Sequence, residues 1–527
     1  MRFTTAIWNC KQMQGRHLQT FVFITAATCF TACDGSKHGM PEAEQSAFGH
    51  YVERLDTAQM EQCLHKIVAG DTSHWKADRT VKQRYQETKN FENAPLWFTR
   101  LGVTADADSL LSVLRRELPK AGLDTTAFYV PQIAQDLDIV HKQAFDSLGV
   151  SINEVLPRLD YLLTKAYVRY CAGQRYGFIR PDKLLNNLEH KYENVYAHLF
   201  AYDVKAPNYD EAIGALSSGQ RLDYLLGSQP KSKLYTAIGS LMKNTSDPKK
   251  LRQIAINMER CRWQMKVPEA NEKNVVVNIP ALLLWAICPD SVINMRICCG
   301  AMTNKTPLLW SRISHMQVNP DWIVPFNIVT TDFVRHEGDS AYFARNHYYI
   351  VERSSGDTLN PVHVTASEMK SGKLRIGQKG GAGNSLGRIV FRFANDFGIY
   401  LHDTNNRRAF NYERRTLSHG CIRVQKPIEL ACFLAPDADE RLQDKLRLSM
   451  DLPPVTEEGT EYLKEHADDR RPLRLINYLG VSPKVPVYII YYTVYPNPEN
   501  GKMEFWPDLY GYDKAIANEM GAFLLKR

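Results

Sequence analysis

At 527 residues the chain is too long for one compact core and is expected to fold as two or three domains. Hydrophobic residues make up 44% and charged residues 23%, which excludes a disordered or fibrous protein. The net charge of +7 is spread thinly, with no long Lys/Arg block, so mild attraction to anionic surfaces is expected and nucleic-acid binding is not.

In chain order, Arg16 and His17 precede an apolar run from Phe21 to Phe30. The run is too short to span a bilayer but has the length of a secretory signal's core. It leads into FTAC, ending at Cys33, and Ala32 followed by Cys33 resembles the lipobox of bacterial lipoproteins. Residues 1–33 are therefore expected to be a lipoprotein-type signal with Cys33 lipidated, and a plain cleaved signal is the alternative. Both place the mature protein outside the cytoplasm, the first as a membrane-anchored protein of the periplasm. Residues 34–50, small and polar, read as a tether.

Residues 51–255 carry helical patterning and read as an α-helical scaffold domain. Leu111, Leu114 and Leu118 recur at helix spacing, and Leu159, Leu162, Leu163, Ala166, Tyr167 and Tyr170 follow one apolar stripe. AGLD (121–124), GFIRPD (177–182) and GSQP (227–230) separate these segments. Past INMERCRW (256–263) the period changes, and residues 256–527 read as a mainly β catalytic domain, making the whole an α+β protein. VVVNIP (275–280), SVINMRICCG (291–300), RIVFRFAN (388–395), GIYLHDT (398–404) and PVYIIYYTVY (486–495) have strand composition. Ile389, Phe391 and Phe393 alternate with Arg388, Val390 and Arg392, as on a sheet with one face packed inward. The polar, weakly periodic stretch 326–378 reads as a lid-like insertion, with a disordered insertion as the alternative.

The stretch HDTNNRRAFNYERRTLSHGCIRV (402–424) carries the chemistry. Cys421 follows His419 by two residues and His402 by nineteen. A thiol attacks as its thiolate, and a nearby imidazole can take the proton. The small-residue turn SHGC beside a second histidine makes Cys421 a nucleophile rather than a small buried hydrophobe. The other cysteines show no C-x-x-C and no His spacing suited to zinc, so no metal or cofactor is expected; buried thiols are the reading for most, with a disulfide left open.

The motif from His402 to SHGC resembles the active site of L,D-transpeptidases with a YkuD-type catalytic domain. NMERCRW (257–263), VNIPA (277–281), Thr306-Pro307, NPDWIVP (319–325), NSLGRIVFRFAN (384–395) and DLYGYD (508–513) are similar to the larger members with an N-terminal scaffold domain. Weaker likenesses are PLWF (95–98) and LDYLLTKAYVRY (159–170). No pattern of the small peptidoglycan-binding module that many such enzymes carry occurs between about 200 and 255.

The resemblance implies a periplasmic enzyme acting on peptidoglycan stem peptides, a donor tetrapeptide and an amine acceptor, to form 3-3 cross-links through a Cys421 thioester, with carbapenem β-lactams as inhibitors. It gives His402 the role of base and His419 an auxiliary one. Cys421 and Gly420 supply backbone N–H groups to the oxyanion, and Gly lets the backbone approach closely. Asp403 orients His402, through its carbonyl or its carboxylate. Arg423 and Ser418 are expected to bind substrate, with structural ion pairing the alternative for Arg423. Gly387 and Asn384 serve the fold. Arg388, Arg407, Arg408, Arg414 and Arg415 are candidates for a cationic pocket that recruits the acidic stem. Alternatives are an L,D-carboxypeptidase that uses water as acceptor and a non-catalytic wall-binding lipoprotein.

Overall fold

The computed structural model describes residues 46–87, 95–188, 199–269, 271–435, 439–467 and 472–525. The expected signal 1–33, its Cys33 and residues 34–45 of the expected tether lie outside them. Residues 46–50 do not act as tether: Phe48 is fully buried, and the Ala47 N–H donates to the Leu101 carbonyl at 2.8 Å. No helix among the described residues is long and apolar enough to cross a membrane.

The first half is helical around one long element, Ile152–Tyr176. The Ser151 side chain caps it by accepting from the Asn153 N–H, and Gly177, at φ +89°, ends it. The helix is buried around nearly its whole circumference, not along a single stripe. Helices Thr57–Gly70, Lys76–Glu87, Val130–His141 and Tyr209–Ser217 all pack on it. A helix enclosed in this way must find partners for its polar residues. Asp160 accepts from the Tyr85 hydroxyl at 2.6 Å and from the Leu96 and Trp97 N–H groups at 2.8 and 2.9 Å. Lys165 pairs with Asp71 at 2.5 Å and Arg169 with Asp78 at 2.6 Å. These partners sit on or beside the surrounding elements, so the polar pairs specify which segment packs where. A short hairpin, β1 (Phe98–Thr99) and β2 (Gly102–Val103), completes this half.

The second half is a barrel. Its strands are β3 (Asn274–Asn278), β4 (Leu283–Cys288), β5 (Ser291–Gly300) and β6 (Leu309–Val318). An insertion follows with β7 (Trp322–Ile323), β8 (Tyr348–Glu352), β9 (Thr358–Leu359) and β10 (Leu374–Gln378). The barrel resumes with β11 (Ile389–Phe393), β12 (Leu401–His402), β13 (Thr416–Ser418), β14 (Ile422–Val424) and β15 (Tyr478–Ile490). The order around it is β5-β14-β12-β11-β6-β15-β3-β4, and β4 pairs back onto β5. β5 closes the ring by dividing its partners. One edge pairs with β4 and then, further along, with β13, whereas β14 takes the other edge at Ile297 and Cys298.

Helix Pro248–Arg262 crosses residue 255, where the border between halves is expected, and forms the joint between them. Asn257 donates to Thr493 Oγ1 at 2.7 Å and accepts from the Thr493 N–H at 3.0 Å. Arg260 pairs with Asp513 at 2.6 Å. Near the C-terminus the chain returns to the helices, where the Leu525 N–H donates to the Gly122 carbonyl at 3.0 Å. One apolar cluster therefore runs from Phe48 to Leu524.

The insertion leaves the barrel between β6 and β11, which are antiparallel neighbours. At its neck the Asn319 N–H donates to the Arg388 carbonyl at 2.6 Å, and Arg388 donates back to Asn319 Oδ1 at 3.0 Å. It folds as a sheet in the order β7-β10-β8-β9 around its own core, which includes Val324, Ile328, Phe333, Phe343, Ile350 and Met369. On β11 the expected alternation gives way: Val390 is as buried as Ile389 and Phe391, since it packs with Leu386 and Tyr400. The eight cysteines among the described residues are free thiols.

Candidate active site

Strand register assembles the site. β12 and β14 are parallel, with Leu401 beside Ile422 and His402 beside Arg423. Tyr400 therefore stands beside Cys421, and the Ile422 N–H donates to the Tyr400 carbonyl at 3.1 Å. Side chains two apart share a face, so Tyr400, His402, Cys421 and Arg423 form a two-by-two patch with His402 and Cys421 on its diagonal. β11 lies antiparallel on the far side of β12, with Val390 opposite His402. That register brings Arg392 beside Tyr400, its guanidinium 4.4 Å from the ring centroid. All four patch residues and Arg392 line one cavity of about 450 Å³.

Cys421 sits on a braced turn. Gly420 has φ +114°, a conformation open to glycine. Its carbonyl accepts from Thr306 Oγ1 at 2.8 Å, and Thr306 Oγ1 also accepts from the Gly300 N–H at 2.9 Å. Ser418, expected to bind substrate, spends its hydroxyl within the turn. Its Oγ donates to the Cys421 carbonyl at 2.5 Å and accepts from the Gly420 N–H at 3.2 Å. The Gly420 N–H is thus engaged, which leaves the Cys421 N–H of the two expected oxyanion donors.

The electrostatics favour a neutral pair. Burial pushes the Cys421 thiol up to about 11, while the backbone and hydroxyl of Tyr400 and the charges of Arg392 and Arg423 pull the other way. Burial also holds the His402 imidazole down to about 3, helped by the Arg423 charge. The backbone carbonyls of Asp403 and Leu386 act on the ring toward protonation. Neither completes a normal hydrogen bond to Nδ1, which is buried without a partner among the described residues. The Asp403 carboxylate is committed elsewhere, accepting from the Arg388 N–H at 3.0 Å and pairing with Arg407 at 2.9 Å. Of the two ways Asp403 could orient His402, the carbonyl is the one the geometry leaves. Gly387 lets the chain pass close to this residue: a side chain there would meet Thr404 N at 2.4 Å and Asp403 Cβ at 2.5 Å.

The expected cationic pocket is built from other residues. Arg388, Arg407, Arg408, Arg414 and Arg415 do not line the cavity. Arg388 is held at the neck by Asn319 and Asp451, and Arg415 is buried among the Ile297, Tyr412 and Leu282 carbonyls. Arg392 and Arg423 take their place, and the buried Nε of Arg423 has no acceptor among the described residues. The insertion supplies the opposite wall through Trp322, Ile328, Phe333 and Tyr348. His419 points across to it, 3.5 Å from the Asp332 carboxylate. Tyr400 could have been found from sequence by its two-residue offset from His402, whereas Arg392 and Trp322 depend on pairings that no local spacing reveals.

This is a thiol–imidazole site on the edge of a β barrel, roofed by a folded insertion and joined to a helical scaffold. Residues 272–448 match the YkuD L,D-transpeptidase catalytic domain, and residues 79–241 match the Scaffold domain. The chain belongs to the L,D-transpeptidases of this two-part architecture. It is 26% identical over 371 residues to the Haemophilus influenzae protein named "Putative L,D-transpeptidase", an alignment that covers 67% of this chain and 70% of that protein.

Proposed function

We propose that the protein is a peptidoglycan L,D-transpeptidase that forms 3-3 cross-links through a Cys421 thioester. The observation that carries this reading is the diagonal of His402 and Cys421 within a cavity that also holds an acceptor-less arginine. As the donor carbonyl arrives, His402 takes the thiol proton and Sγ attacks the carbonyl carbon of the third stem residue. The Cys421 N–H and the Tyr400 hydroxyl are placed to meet the oxyanion. The tetrahedral intermediate collapses to the thioester as His402 gives its proton to the departing D-Ala amine. An acceptor amine then attacks, His402 removes its proton, and the thiol leaves reprotonated. Arg423 and Arg392 match the stem's carboxylates, and His419 braces the turn against the lid. The apolar run before Cys33 supports export and lipid anchoring in the periplasm.

Muropeptide mass spectrometry tests the assignment. The purified protein with tetrapeptide stems should yield 3-3 dimers, and Cys421→Ala should abolish them. Tripeptide without dimer or D-amino-acid exchange would instead identify a carboxypeptidase. A carbapenem should leave a covalent mass adduct on the peptide that contains Cys421, and the absence of an adduct would refute an acylable thiol.

A further inference from the structure

A second cavity, of about 1030 Å³, lies between the helical half and the barrel and shares no lining residue with the one at Cys421. Its walls come from helices Ile152–Tyr176 and Pro248–Arg262, the segment 227–237, residues 264–269, 271 and 272 of the connection, and the barrel's β3 and β4. Folding leaves several of its polar groups unmatched. Asn274 is only 3% exposed, yet its Oδ1 has no donor among the described residues. The Arg175 Nε is buried without an acceptor, and its guanidinium meets the Tyr224 ring at 4.4 Å rather than a carboxylate. Lys231 and Lys233 are exposed on the same wall, at the positive end of helix Lys233–Ser240, with no ion pair among the described residues. The buried Arg260 and Arg262 are already paired, with Asp513 and Glu259. The acidic residues on the lining are Glu269 and Glu272, both from the connection, where Lys266 pairs with Glu269 at 2.7 Å and Arg312 lies 3.8 Å from Glu272.

A ligand that satisfies this lining carries carboxylates for Arg175, Lys231 and Lys233. It also carries an N–H or O–H for Asn274 and an amine that the two glutamates tolerate. A nucleic acid has the anions but would face the glutamates, and a lipid chain would leave the polar groups unmatched. A peptide stem containing a diamino acid has all three. We infer that this cavity is a second binding site for the acidic peptide stem of peptidoglycan, holding the polymer while Cys421 acts on another stem. The inference rests on the peptidoglycan reading above.

The test uses the full chain with Cys421→Ala, so that nothing is turned over, and co-sedimentation with purified peptidoglycan sacculi. Adding Lys231→Glu with Lys233→Glu, or separately Arg175→Gln, should weaken sedimentation roughly tenfold. The same substitutions in the intact enzyme should leave turnover of a small soluble tetrapeptide unchanged. Unaltered sedimentation in both variants overturns the inference. So does a loss that extends to tetrapeptide turnover, since the cavity would then be serving the barrel's structure. If the unsubstituted enzyme fails on tetrapeptide while the variants still lose sacculi, the transpeptidase reading falls and the binding site stands.

Discussion

Burial favours the uncharged forms of both Cys421 and His402 in the free site, so in the proposed reaction the thiol proton moves as the substrate arrives. A resting thiolate–imidazolium pair would be alkylated at a rate that levels off below neutral pH. With the thiol pushed up to about 11 by burial, the rate of Cys421 alkylation by iodoacetamide should keep rising from about pH 7 to about pH 9. A plateau below about pH 8 would show a preformed ion pair instead. His402 also links the site to acid stability. Its folded value of about 3 lies below its ordinary 6.5, so between these values the unfolded chain holds a proton that the folded chain lacks. Stability is then fully present above about pH 6.5 and falls as the pH drops toward 3. His402→Gln should flatten that slope in thermal melts between about pH 7 and about pH 4, and an unchanged slope would refute the burial argument. Both residues are legible in the sequence because the motif fixes them covalently. The arginines are not, since Arg392 reaches the site only through its antiparallel register with Tyr400.

At the scale of elements, the lid and the histidine strand meet at Gly387. Its φ of +66° and the 2.4 Å approach to Thr404 N both require a missing side chain. Gly387→Ala should destabilise the protein by about 1–3 kcal/mol. Because the strain falls beside Asp403, acylation by a carbapenem should slow as well; a melting temperature equal to the parent's would count against the contact. The lid itself was only partly visible from sequence. Its apolar residues, such as Val324, Phe343 and Met369, are spread over several short elements with no sustained period, so a real core resembles a polar loop. The long helix misled in the opposite way. Its stripe is clear, but burial around the whole circumference follows from neighbours that a single helix cannot announce.

Across the whole molecule, scaffold and barrel share one apolar cluster and a seam of buried polar pairs. Arg260 and Asp513 are 2% and 12% exposed in their side chains, so Arg260→Ala leaves the Asp513 carboxylate at the seam without its counter-charge, held by the Thr493 hydroxyl. The expected cost is about 3–5 kcal/mol, read as a lowered melting temperature in one cooperative transition that involves both halves. Two separated transitions in the unsubstituted protein would show that the halves fold independently. The split edge of β5 has a consequence of its own. With β13 on one side and β14 on the other, the turn carrying Cys421 has to step over the end of that strand, like a strap across a buckle. Cys421 is thus fastened by the very pairing that shuts the ring. Any slip in the ring's closure is felt at Cys421, so loss of acylation should track the single transition in which barrel and helices melt together.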